Sequence, residues 1–108
     1  MQKMLNENGI RFIGIINNMG RQIAGGNKVG ITPLVDDEEH KMGIQHALGY
    51  VLTKDFDESL GSVEYIATKR KKVIMITIPI QNYIILISAE HDTNSEEIVK
   101  KVMNLQFL

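Results

Sequence analysis

The sequence predicts an α+β domain: a five-stranded antiparallel sheet flanked by helices, in the order (short α)-β-β-α-β-β-β-α. Three observations carry this. Five stretches rich in β-branched residues alternate with short polar or glycine turns, the pattern of hairpins. Two segments, over 36–56 and from Asn94 onward, repeat apolar residues at helical spacing. Hairpins, and not helical crossovers, join most of the strands, which separates this plan from a doubly wound parallel sheet.

Residues 1–8 read as a short helix or leader. Ile10–Asn17 is a mostly buried strand, Asn17-Asn18-Met19-Gly20 has turn chemistry, and Arg21–Gly25 is a short returning strand. Residues 27–35, with Gly30 and Pro33, form a loop. Asp36-Asp37-Glu38-Glu39 then opens a helix, because carboxylates accept from the free N–H groups of a first turn and suit its positive dipole end. Behind it Ile44, Ala47, Leu48, Val51 and Leu52 make one apolar face. Gly43 and Gly49 weaken this helix; small residues there either permit close approach of another backbone or have no role. Asp57–Gly61 reads as a break.

Val63–Lys69 is the third strand, Lys71-Lys72 a turn, Val73–Ile80 the fourth strand and Tyr83–Glu90 the fifth. The last two are nearly all apolar, so both of their faces are covered in mid-sheet. Thr93 and Glu96 have capping-box spacing ahead of a final helix whose apolar face is Ile98, Val99, Val102, Met103 and Leu105. Met42, Met75 and Met103 fall on apolar patterns and read as core filler. The 108 residues are expected to make one domain over 1–108.

Composition narrows the chemistry. The chain has no cysteine, which removes disulfides, thiolate metal sites and cysteine nucleophiles. Net charge is −1, too balanced to draw the protein to nucleic acid or an anionic membrane. Met1–Gly9 has no apolar run like that of a signal peptide, and the longest apolar stretches fall far short of the roughly 20 residues of a membrane helix. The cytoplasm is the expected location.

No catalytic signature emerges, and we expect no enzyme, no cofactor and no metal. His40 and His46 are six residues apart and project from different helix faces, whereas paired ligands need a spacing of three or four. His91 stands alone. A metal would therefore depend on Asp36–Glu39, which a capped helix start explains more simply. Gly25-Gly26-Asn27-Lys28 has the wrong spacing for a phosphate loop. Ser59, Ser62, Ser88 and Ser95 lack the context of a nucleophile elbow. Lys69-Arg70-Lys71-Lys72 is the sharpest charge cluster, but no aromatic platform accompanies it, so nucleic acid is disfavoured against a solvated turn or a protein contact.

Phe12-Ile13-Gly14-Ile15-Ile16-Asn17-Asn18-Met19-Gly20-Arg21-Gln22-Ile23-Ala24 resembles the opening hairpin of the Roadblock / dynein light chain family, a branch of the profilin-like folds. Tyr83–Ile87 followed by Asn94–Val102 is similar to its last strand and helix. More narrowly, Ile10–Gly26 with Pro33–Glu39 resembles small archaeal proteins of unassigned function with this fold. The family's first helix is usually longer than residues 1–8 would allow. The resemblance implies a homodimer, with middle helices packed together and middle strands aligned edge to edge. It also implies a non-enzymatic platform for a Ras-like small GTPase or a larger complex. Carried onto this chain, the self-interface is the 36–56 helix and the 62–69 strand, centred on Gly43, Ala47, Tyr50, Val51 and Tyr65. The partner surface is expected near Arg21, Asn27, Lys28, Lys69, Arg70, Lys71 and Lys72. A second reading is a small-molecule sensing domain of profilin/PAS-like shape. It would need an enclosed cavity with convergent polar groups, for which the sequence offers Thr77 and Ser88.

Overall fold

A computed structural model describes residues 9–17, 19–27 and 39–104, without the side chains of Asn27, Glu39, His40 and Lys41. Five strands form one antiparallel sheet: β1 (Ile10–Asn17), β2 (Gln22–Asn27), β3 (Ile66–Lys69), β4 (Val73–Ile80) and β5 (Tyr83–Glu90). Their order across the sheet is β2-β1-β5-β4-β3, so β5 is the central strand, between β1 and β4, and among the described residues β2 and β3 are the edges. The helices are α1 (Glu39–Thr53), the single turn α2 (Asp57–Leu60) and α3 (Ser95–Met103), with a 3-10 turn at Lys54–Phe56 between the first two.

The pleat sorts the apolar side chains into two cores. Ile13 and Ile15 of β1, Ile74, Ile76 and Ile78 of β4, and Ile85, Ile87 and Ala89 of β5 bury one face together with Ile98 and Val102 of α3. The alternate residues, Ile16, Val73, Met75, Ile84 and Leu86, form the second core with Ala47 of α1. Alternation of period two therefore puts α3 and α1 on opposite sides of the sheet. This is the two-sided cover that the unbroken apolar runs of β4 and β5 predict.

The five strands and two main helices appear as expected, with local corrections. The expected break at Asp57–Gly61 is instead helical, α2, and closes on the Gly61 N–H, which donates to the Asp57 carbonyl at 2.8 Å. Strand β3 begins at Ile66 and not Val63, leaving a four-residue edge strand. The cap of α3 is Asn94, not Thr93: its Oδ1 accepts from the N–H groups of Glu96 and Glu97 at 3.0 and 3.2 Å. An Asx cap one residue nearer the helix satisfies both donors, so the threonine is not needed. Met75 is buried, but Met103 is 57% exposed and fills no core. The short first helix at 1–8, the loop after residue 27, the start at Asp36–Glu38 and Leu105 lie outside the described residues.

Candidate interaction surface

Two interlocked glycines seat α1 on the sheet. The side chain of Asn17 shapes the β1–β2 turn, its Oδ1 accepting from the N–H groups of Met19 and Arg21, each at 3.0 Å. Gly20 follows in left-handed backbone (φ 85°), and a Cβ there would stand 2.5 Å from the Ile44 Cα. Gly43 reciprocates: its Cβ would stand 2.5 Å from the Gly20 carbonyl oxygen. The turn and the helix can touch backbone to backbone only because neither position carries a side chain.

That seating fixes the rotation of α1. Gly43, His46, Ala47 and Tyr50, spaced i, i+3, i+4 and i+7, face the sheet. Here the His46 Nδ1 lies 3.3 Å from the hydroxyl of Thr77, a side chain only 1% exposed. Burial, and secondarily the positive charge of Arg70, holds the His46 imidazole below its ordinary pKa. The Lys54 ammonium lies over the Tyr50 ring, 5.2 Å from its centroid.

A second stripe runs beside the first. Ile44, Leu48, Val51 and Leu52 are 41, 55, 40 and 61% exposed, and Phe56 and Leu60 continue the run at 61 and 81%. At 100° per residue this stripe lies roughly 130° around the helix from the seated face. The apolar face expected of Ile44, Ala47, Leu48, Val51 and Leu52 is thus divided: Ala47 packs on the sheet and the other four point away from it. An exposed stripe of this size is the signature of a surface built to be covered.

The expected self-interface residues separate accordingly. Gly43 and Ala47 are taken up by contacts within the chain, and Tyr50 is half-buried on the same side. Tyr65 packs against the core on the α3 side of the sheet, away from α1. Only Val51 belongs to the outward stripe. Ile44, Leu48, Leu52, Phe56 and Leu60 were not singled out as interface, although their spacing was visible.

The expected partner residues are not one surface. Arg21 is exposed at the β1–β2 turn and Asn27 ends β2, both on one edge strand. Lys69–Lys72, all exposed, tip the hairpin of the opposite edge, four strand spacings or about 19 Å away. Lys28 lies outside the described residues. Of the residues weighed for ligand binding, Ser88 is half-buried and the Thr77 hydroxyl is held by His46. Among the described residues no three His, Asp or Glu side chains gather as a metal site, and no helix is long and apolar enough to cross a membrane.

A family model described as a family of unknown function (DUF6659) matches residues 1–106, and the chain belongs to that family. No curated protein matches it in sequence. Solved structures do match. A Roadblock/LC7 domain from Streptomyces avermitilis has a TM-score of 0.68 at 11% identity, over 95% of this chain and 91% of that one. The gliding protein MglB from Thermus thermophilus gives 0.77 at 11% identity, over 94% and 77%. MglC from Myxococcus xanthus gives 0.58 at 14% identity, over 94% and 88%. At these identities the likeness is one of fold, and the fold is Roadblock-like, as the opening hairpin and the last strand and helix suggested.

Proposed function

We propose that the protein is a non-enzymatic homodimeric scaffold that docks or regulates a Ras-like small GTPase or a larger complex. The observation that carries self-association is the outward stripe of α1. Four apolar side chains on a well-seated helix face solvent, and the edge strand β3 has no outer neighbour among the described residues. A second copy presenting the same stripe covers both, and a two-fold axis makes one patch complementary to itself. The partner class rests on the Roadblock resemblance, and the Roadblock-like fold is consistent with it. The exposed Lys69–Lys72 cluster is the candidate contact for such a partner or for the second copy.

The absence of cysteine makes the test simple. Leu48 lies at the middle of the stripe, so in the dimer two Leu48→Cys side chains face each other across the axis. Gly49, exposed and about 100° around α1 from Leu48, does not, and a Cβ there meets nothing within 4 Å. Under mild oxidant at low micromolar concentration, Leu48→Cys is expected to form a covalent dimer and Gly49→Cys to remain monomeric on a non-reducing gel. Equal cross-linking of the two variants contradicts the assigned face. For the partner, binding of a small GTPase that differs between its GDP and GTP states supports the reading, and nucleotide-independent or absent binding to such GTPases counts against it.

A further inference from the structure

His46 is a titratable ring set under α1, and a dimer built on the outward stripe gives it no task. It follows Gly43 by three residues and precedes Ala47, which is 1% exposed, so it stands on the stripe that seats the helix. Its Nδ1 lies 3.3 Å from the hydroxyl of Thr77, the only polar residue of β4. A valine at position 77 would have the same shape and need no partner. The buried hydroxyl therefore has a use only together with the ring.

The surroundings suit the neutral ring and not the charged one. On the α1 side β4 offers Val73, Met75 and Thr77, and β5 offers Ile84, Leu86 and Ser88, none of them charged. β1 offers Phe12, Gly14 and Ile16, and β2 carries no charged residue. Glu90, the carboxylate of β5 on this side, pairs with Arg11 at 2.9 Å. From β3 come Ile66, Thr68 and, in the turn after it, Arg70, whose N–H donates to the Val73 carbonyl at 2.8 Å. The β1–β2 turn on which Gly43 rests carries Arg21. On α1 itself follow Tyr50 and Lys54, the ammonium 5.2 Å from the ring centroid, and Asp55 comes about 14 Å along the axis. Among the described residues a charged imidazole thus finds Arg70 beside it and no unpaired carboxylate against it. Burial, and after it Arg70, already hold the ring below its ordinary pKa.

We propose that His46 and Thr77 form a proton-released latch that holds α1 on the sheet and so sets the orientation of the outward stripe. With the ring neutral, Nδ1 and the hydroxyl share a hydrogen bond, and the helix is seated at both Gly43 and His46. When the ring takes up a proton, both of its nitrogens become donors and it carries a charge in an apolar setting beside Arg70. The helix then gains by lifting at His46, while the Gly43–Gly20 contact one turn earlier keeps it tethered. Leu48, Val51 and Leu52 lie beyond the tether and move with it. The consequence for self-association rests on the reading above; the latch itself does not.

Hydrogen exchange of the full chain tests it, with rates corrected for the intrinsic effect of pH. An open form titrating at the ordinary 6.5 is mostly protonated at pH 5.5, so opening of α1 should rise by up to about tenfold between pH 7.5 and 5.5. The expected result is a loss of protection over 43–53 of about three- to tenfold, with 95–103 unchanged as the internal reference. His46→Gln should lose the response, and so should His46→Leu/Thr77→Val, which replaces both partners by apolar ones. His40→Gln and His91→Gln should keep it. Circular dichroism at pH 7.5 checks the fold of each variant. Equal protection of α1 at both pH values in the wild type overturns the latch. A parallel loss in α1 and α3, or a response that survives in a folded His46 variant, overturns it as well. None of these readouts needs a dimer, so the latch can fail while self-association stands, and a monomeric wild type that shows the response leaves the latch intact.

Discussion

Gly43→Ala and Gly49→Ala make the same change on the same helix, and the structure predicts opposite signs. Alanine is better than glycine inside a helix by about 0.5–1 kcal/mol. At Gly49 an added Cβ meets nothing within 4 Å, so nothing offsets that gain. Gly49→Ala should therefore stabilise by about 0.5–1 kcal/mol, which for a domain of this size raises Tm by about 3–6 °C. At Gly43 the Cβ lies 2.5 Å from the Gly20 carbonyl oxygen, 0.9 Å inside the 3.4 Å of ordinary contact. That oxygen is backbone, in a turn held by the Asn17 side chain and by the Gly20 N–H donating to the Asn17 carbonyl at 2.9 Å. It cannot swing aside as a flexible side chain would. Overpacking of this kind costs about 1–3 kcal/mol, more than the helical gain, for a net loss of about 1–2 kcal/mol. Urea unfolding of both variants at one protein concentration measures the difference, with the slope checked for constancy. A Gly43→Ala protein as stable as Gly49→Ala would refute the seating of α1 on the β1–β2 turn, and with it the rotation that turns Leu48 outward.

Other expectations follow from the same packing. Asn94→Ala removes the acceptor for two N–H groups of α3 and should cost about 1 kcal/mol in denaturant unfolding. Ile87→Ala empties a side chain that is 0% exposed at the centre of the α3-side core, and should cost about 2–5 kcal/mol. His46 titrates below its ordinary 6.5 in the folded chain, so the unfolded chain binds the proton more tightly. Its contribution to stability is complete above pH 6.5 and is lost as pH falls through the folded value. His46→Gln should flatten that part of the stability–pH curve, and an unchanged curve would contradict the burial of this ring.

Much of the fold is legible in the residues. Strands β4 and β5 have the bounds that their apolar runs predict, and the pairing Ile76 with Ile87 explains why both runs are unbroken: each face of each strand meets a core. The rotation of α1 was not legible. Ile44, Leu48, Val51 and Leu52 have the spacing of a core face, and periodicity reports only that a face is apolar, not what covers it. What turns the helix is small and polar: Gly43 against Gly20, and His46 reaching Thr77 across 31 residues. Such contacts are non-local and leave no periodic trace. The α3 cap was displaced by one residue because Thr93 and Asn94 are both good caps, and the chain path selects between them. The basic turn Lys69–Lys72 is plain in the sequence, but its place on an outer edge of the sheet follows only from the strand order.

The central claim is self-association through the outward face of α1, and the solution mass of two proteins tests it most directly. Light scattering coupled to size exclusion should give twice 12.2 kDa for the wild type across the micromolar range. Leu48→Asp, which places a carboxylate on a side chain already 55% exposed, should keep the wild-type circular dichroism and elute at 12.2 kDa. A wild type that stays at 12.2 kDa throughout, or a Leu48→Asp variant that remains fully dimeric, would contradict the account.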